Sequence, residues 1–329
     1  MFMINVQHSP DTGRRYVFIC GLHRSGTTLL GRNVARLENC TGFSNTGVIE
    51  DEGQFLQDVY PPSKAHGGPG RFGFDPRAHL TESSPLVTLQ NAVKLRQSWE
   101  RYWDLSKDIC VEKTPGNLLK TRFLQAMFPN AYFVVIKRHP VSVSMANQKW
   151  KVGFTPIHKL FDHWLRCHAL FEEDKTYLKY VYEVTYENYI QNPNHHHQEI
   201  ARFIGTRVPE GRMKEVSGAY NPKYFSRWSE LLNKSLVKCY YRHIALRYEA
   251  MFKHYGYSLT EGFGVNESWS RAAGRFAATR GMVYCLAANA YALLVRSTAR
   301  CRAYVKKQLR ARLRIRLNSE SNVPFGELL

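Results

Sequence analysis

Paired cysteines are missing from this chain. Its seven (Cys20, Cys40, Cys110, Cys167, Cys239, Cys285 and Cys301) are odd in number, scattered, and never in a CxxC pair. No disulfide framework follows from such spacing. Cys20 and Cys110 lie in apolar runs, which predicts reduced, buried thiols and a reducing compartment. Residues 1–15 (MFMINVQHSPDTGRR) lack the basic start and long apolar core of a secretory signal, so the expected location is cytoplasmic. The sequons at Asn39, Asn233 and Asn266 carry no weight there. The apolar stretch Gly281 to Val295, broken by Asn289, is fifteen residues long, short of the ~20 that a membrane span needs.

Acidic residues are absent from Ser268 to Asn318, where twelve Lys/Arg fall. They dominate the net charge of +19 and leave 34 basic residues against 27 acidic ones elsewhere. That modest excess suits an enzyme with a polyanionic ligand. Val305, Leu309, Leu313 and Leu317 recur every fourth residue among the arginines. This is the pattern of a basic amphipathic helix, which fits peripheral attachment to an anionic membrane surface through residues 281–317. It fits equally a helix packed on the domain with its basic face solvated. Nucleic acid is disfavoured, because no aromatic-interleaved platform accompanies the charge.

Hydrophobic residues make up 44% of the 329, enough to bury a proper core. The strongest signal is Tyr16 to Gly31, YVFICGLHRSGTTLLG. Its first five residues read as a strand buried on both faces. Gly21 to Gly26 is a tight loop, and Thr27 to Leu37 is a helix with Leu29, Leu30, Val34 and Leu37 at helical spacing. Strand, glycine loop and helix N-terminus together cradle phosphate-like anions. The triphosphate loop places Lys after its second Gly. Here Thr27 takes that position, Thr28 follows, and the cation has moved inside the loop to Arg24. The loop is therefore built for a phosphate-like group other than a magnesium nucleotide, and a P-loop kinase is disfavoured.

Further along, loop runs to about Val48. Glu50, Asp51 and Glu52 precede a short helical pattern at Phe55, Leu56 and Val59. Lys64 to His79 is Gly/Pro-rich and aromatic, which predicts an ordered substrate-side loop. Helices are expected at Leu86–Tyr102, Leu118–Phe128, Val141–Trp150, Ile157–Tyr177, Asn194–Ile204 and around Arg247–Tyr255. Strands are expected at Ile109–Glu112, Ala131–Ile136 and Tyr180–Thr185. Alternating strands and helices predict an α/β three-layer sandwich with a central parallel sheet. Ligands bind outside the carboxyl ends of such strands. Charged clusters sit at those ends: His23 and Arg24, Lys113, Arg138, and Tyr186 with Glu187. The expected organisation is a loose leader (1–14), the main domain (15–264) and a basic helical extension (265–329).

These residues resemble the sulfotransferase family that uses 3′-phosphoadenosine 5′-phosphosulfate (PAPS), in its bacterial and tyrosylprotein-type branch. GLHRSGTTLL is similar to that family's 5′-phosphosulfate loop, FVVIKRHP to its 3′-phosphate segment, VEKTP to its strand-end lysine segment and VTYENYIQNP to a further strand end. The four fall in the family's order over roughly Tyr16 to Tyr257. The resemblance implies a P-loop-like fold, PAPS as cofactor with no metal, and a hydroxyl-bearing acceptor of carbohydrate, glycolipid, small-molecule or tyrosine type. It implies that Gly21, His23, Arg24, Ser25, Gly26, Thr27 and Thr28 hold the 5′ end. Arg138 would take the 3′-phosphate bidentately, and Tyr186 would meet adenine. Lys113 would touch the transferring group and Glu52 would act as base, with Glu50 still open. His23 is a further candidate base. One position departs: a serine expected eight residues after Arg138 is Ala146, so Ser142, one turn earlier, is expected to supply that hydroxyl. A protein that keeps the fold as a nucleotide or membrane-surface binder is the non-enzymatic alternative, and Arg24, Lys113 and Arg138 together argue against it.

Overall fold

The structure, a computed structural model, describes residues 13–149, 155–210, 213, 221–234 and 238–265. A strand covered on both faces must present apolar side chains to both. β1 (Arg15–Gly21) does so: Tyr16, Phe18 and Cys20 enter one core, and Val17 and Ile19 enter the other. After it come α1 (Thr27–Val34), β2 (Cys40–Gly42), α2 (Leu89–Glu100), β3 (Ile109–Lys113), α3 (Thr121–Met127), β4 (Ala131–Lys137) and α4 (Pro140–Lys149). Then follow α5 (Ile157–Lys175), β5 (Val181–Thr185), α6 (Tyr186–Gln191), α7 (Pro193–Ile204), α8 (Asn221–Asn233) and α9 (Lys238–Lys253).

The sheet order is β2-β3-β1-β4-β5, and every described pair is parallel. From β1 the chain goes to the edge strand β2, returns inward to β3 beside β1, and then crosses to β4 and β5 on the other side. β1 therefore ends at the point where the order reverses, where a crevice opens in such sheets. α1, α6 and α7 cover one face with Leu30, Val34, Tyr189, Ile200 and Ile204. α2 to α5, α8 and α9 cover the other with an aromatic core. There Trp99 stacks on Phe128 (5.5 Å) and Phe18 on Phe133 (5.6 Å). No helix among the described residues is long and apolar enough to cross a membrane.

The expected parallel α/β sandwich is present, with local corrections. β2 lies inside the segment expected to be loop; its three residues pair Cys40 with Ile109, too short a run to show a period. The pattern at Phe55 to Val59 yields only a single turn, Gly53–Phe55. The helix expected from Leu118 splits into a tight turn, Pro115–Leu119, and α3. Residues 64–79 contain three such turns in series, tied by His66 Nδ1 to Asp75 Oδ2 (2.9 Å). In the His195–His197 tract near the start of α7, His195 is exposed, His196 pairs with the Tyr182 hydroxyl, and His197 is buried and pairs with that of Tyr189. The basic stripe at 305–317 and the apolar stretch at 281–295 lie outside the described residues.

Candidate active site

β1, β3, β4 and β5 deliver Gly21, Lys113, Lys137 and Thr185 to the same edge of the sheet. From Gly21 the chain turns through Leu22–Gly26 into α1. Ser25 N–H donates to Leu22 O (3.0 Å) and closes the turn. Arg24 takes a left-handed conformation (φ 74°), a costly geometry for a residue other than Gly that tends to persist at functional sites. Gly26 (φ 101°) opens α1 with no side-chain cap, so the first-turn N–H groups face the crevice without an intrahelical acceptor. A Cβ on Gly26 would lie 2.6 Å from Tyr186 Cδ2, so only Gly lets the loop and that ring pack. Beneath the loop, Ser25 Oγ and His23 Nδ1 are buried without a hydrogen-bond partner among the described residues.

A cavity of about 390 Å³ opens over this loop, within the range of small-molecule sites. It brings together His23, Arg24, Gly26, Thr27, Thr28 and Glu52 with Arg138 and Tyr186 from the far strands. Glu50 and Tyr224 also reach it. Gly21, Ser25 and Lys113 do not line it; Lys113 lines an adjoining cavity and reaches this one through Glu52. Ser142 is fully buried, its Oγ lacks a described partner, and the face of α4 that meets the cavity carries Ala146 instead. Ser142, expected to supply the missing hydroxyl, thus lies one turn before Ala146 and does not line the cavity.

One corner is organised around Arg138. Its guanidinium lies 4.0 Å over the Tyr186 ring. Nη1 donates to Arg24 O (2.8 Å), while Nε and Nη2 donate to Asn221 Oδ1 (2.9 and 2.7 Å). Asn221 Nδ2 in turn donates to Glu187 Oε1 (2.7 Å), which also accepts His139 N–H (3.2 Å). The arginine thus pins the loop to α8 while other donors of its fork remain. Asn221, 83 residues away, carries no motif, and nothing in the sequence singled it out.

The opposite corner belongs to Glu52. Its carboxylate accepts from Gln54 Nε2 and lies 3.4 Å from Lys113 Nζ, which also donates to Glu50 O (2.7 Å). Burial raises the Glu52 pKa above the ordinary carboxylate value, with Lys113 and Gln54 opposing the rise. Glu50 is exposed, and the lysine meets its backbone carbonyl rather than its carboxylate. Behind them stands a residue that the sequence reading passed over. Glu112 is fully buried and accepts from Gly53 N–H (2.9 Å), Thr114 Oγ and Asn117 Nδ2. Thr114 Oγ itself accepts Gln54 N–H (3.2 Å). The end of β3 therefore grips three successive points of the turn that carries Glu52. A Glu inside an otherwise apolar strand (ICVEK) was the available signal.

His23 is held neutral. Burial, then the Lys113, Lys120 and Arg24 cations, push its pKa down to about 3. An imidazole whose protonated form is so disfavoured is a poor proton acceptor, which favours Glu52 over His23 as base. Among the described residues no group of three or more His, Cys, Asp or Glu is placed to hold a metal ion.

Comparison with solved structures finds a sulfotransferase from Mycobacterium tuberculosis at 17% identity (60% of this chain, 69% of that one, TM-score 0.40). A sulfotransferase from Alicyclobacillus acidocaldarius matches at 15% (73% and 96%, TM-score 0.39). A retinol dehydratase in complex with androsterone and the inactive cofactor PAP matches at 16% (64% and 65%, TM-score 0.32). Comparison with curated proteins returned no match. The sequence profile of the Sulfotransferase family matches residues 16–210, a span that runs from β1 past α7 and includes the anion loop, Glu52, Lys113, Arg138 and Tyr186. On that match, the chain belongs to the sulfotransferase family.

Proposed function

We propose that this protein transfers the sulfuryl group of PAPS to a hydroxyl of its acceptor by in-line displacement. The observation that carries the reading is that an anion loop and a buried, lysine-paired carboxylate open into one cavity. When bound, PAPS supplies the sulfuryl group, its S–O bond to phosphate breaking as the acceptor's O–S bond forms. The residues present fit such a group. His23, which lines the cavity, has a buried Nδ1 without a described partner, and Arg24, Thr27, Thr28 and Arg138 in the same lining are cationic or neutral donors.

In this reading Arg24, Thr27, Thr28 and the first-turn N–H groups of α1 hold the 5′ end, where negative charge grows on the leaving phosphate. Arg138, Tyr186 and Tyr224 hold the 3′-phosphoadenosine end. Glu52 takes the proton of the acceptor hydroxyl, and its raised pKa makes it a stronger base than an exposed carboxylate. Lys113 Nζ is anchored by Glu50 O and stands as a fixed cation beside Glu52. It orients the base and neutralises charge on the oxygens in flight. Fixed side-chain charges and positioning supply the catalysis, as in phosphoryl transfer.

Thermal stabilisation by adenosine 3′,5′-bisphosphate (PAP) tests the reading against ATP with magnesium. PAP is expected to raise Tm and ATP–magnesium to leave it unchanged. Indifference to both would overturn the proposal.

A further inference from the structure

A second cavity, about 540 Å³, adjoins the first and shares Thr28 and Glu50 with it. It lies between α1, β2 and the loop 43–51, with Lys113 at its inner end. The floor is made of small residues. A Cβ on Gly31 would come within 3.0 Å of Lys113 Cβ and Cγ, so the lysine stem crosses α1 at that bare position. One turn on, Ala35 lies close against Gly42, where a Cβ would meet it at 2.6 Å. Together they keep the trough open along the helix.

Its walls carry charge. Arg32 in the last turn of α1 and Arg36 in the turn just past its end line the cavity, are exposed, and form no ion pair among the described residues, although the Arg32 charge acts on Asp51 nearby. Across from them, Ser44, Asn45 and Phe43, whose ring stacks on Trp103 (5.0 Å), form the other wall. Of the two carboxylates at the inner end, that of Asp51 is turned into its own loop. It accepts Thr46 N–H (2.8 Å) and Thr46 Oγ (2.7 Å). The trough thus offers two guanidiniums at its outer end, hydroxyl and amide groups along one wall, and an opening beside Glu52 and Lys113.

We propose that this cavity is the acceptor site, and that Arg32 and Arg36 select an acidic saccharide, one bearing a carboxylate or sulfate ester besides the hydroxyl to be sulfated. The inference rests on the reading of the adjoining cavity as the PAPS site. A volume of this size holds one or two sugar rings, and a polar wall with one aromatic side chain suits a sugar better than an apolar ring system. Guanidinium forks bind carboxylate and sulfate alike.

The test uses the full chain saturated with PAP, so that the anion probes cannot report Arg24 or Arg138. Binding of p-nitrophenyl β-D-glucuronide and of a galactose 6-sulfate glycoside is measured by calorimetry beside their uncharged glucoside and galactoside twins. Each acidic member is expected to bind about tenfold or more tightly than its twin, with the difference shrinking as salt rises. Arg32→Gln with Arg36→Gln is expected to abolish the preference while PAP still raises Tm, which shows the fold intact. Equal affinity within each pair, or a preference that survives the double substitution, overturns the proposal. Tighter binding of an acidic tyrosine peptide than of either glycoside overturns the saccharide assignment. Acidic glycosides that need the arginine pair in a protein indifferent to PAP would support the anion site and sink the PAPS reading alone.

Discussion

Burial pushes the Glu112 carboxyl up to about 7, although Thr114, Gly53 and Lys113 all favour its ionised form. The unfolded value is near 4.3, so between these limits the folded chain holds a proton that the unfolded chain releases. The stability from that proton is fully present below ~4.3 and is lost as pH rises through about 7. Asn117 Oδ1 is buried without a described partner. An amide flip would let it accept from a protonated Glu112, or from the Nε2 of a glutamine placed there. Glu112→Gln is therefore expected to fold and to remove this part of the pH dependence. Between pH 4.5 and 7.5 the wild type should lose Tm relative to the variant. Parallel Tm curves would contradict the assignment. Glu52 calls for a kinetic test instead. Its raised pKa places the acid limb of kcat/KM above the ordinary carboxylate range, and activity falls as pH drops through that limb. Glu52→Gln is expected to lower kcat by about 10²–10⁴-fold, to erase the limb and to leave PAP stabilisation intact. Full turnover by the variant would remove Glu52 from the mechanism.

Elements differ in how much of them the sequence displays. β1 and β4 were legible because burial on both faces writes an unbroken apolar run, β3 by its apolar start Ile109–Val111, and the loop after β1 because its glycines and Arg24 lie within six residues. β2 was not, because three paired residues carry no period. The loop motif was legible for the same reason that Asn221 was not: one site is local in sequence, and the other exists only when α8 docks beside α4. Glu112 lies between these cases, since its position after an apolar run was visible but the hydrogen bond it accepts from Gly53 N–H was not. The docking of α8 has a measurable consequence. Asn221 Oδ1 accepts two guanidinium N–H groups, and Asn221 Nδ2 links the arginine to Glu187. Asn221→Ala leaves Arg138, among the described residues, with Arg24 O and the Tyr186 and Tyr224 rings. About tenfold weaker PAP binding is expected, from the loss of charge-assisted hydrogen bonds, with kcat at saturating PAPS within about threefold of wild type. A loss confined to kcat would place Asn221 with the chemistry at Glu52 instead.

At the scale of the whole molecule, the family match ends at residue 210, yet the core and the cavity continue past it. Tyr224 lines the cavity, Trp228 Nε1 donates to Leu259 O (2.9 Å), and Tyr248, Phe252 and Tyr257 close the aromatic core with α5. Val265, one residue past the expected boundary at 264, packs against that same core, so the domain reaches at least that far and does not stop at the end of the match. Residues 266–329 carry twelve basic and three acidic side chains, which is nine of the net +19 charges. Spread over a domain, such a charge is only a solubility term. Concentrated in one segment, it attracts anionic surfaces with a strength that falls with salt. A chain ending at residue 265 is therefore expected to keep its Tm and its stabilisation by PAP, because none of the described site residues is removed. The full chain should sediment with phosphatidylserine vesicles at low salt but not with phosphatidylcholine ones, and the shortened chain with neither. Loss of PAP stabilisation on shortening would move the domain boundary beyond 265. Retained sedimentation would transfer the surface charge to the domain itself, where the exposed Arg32 and Arg36 beside the acceptor cavity are the nearest source.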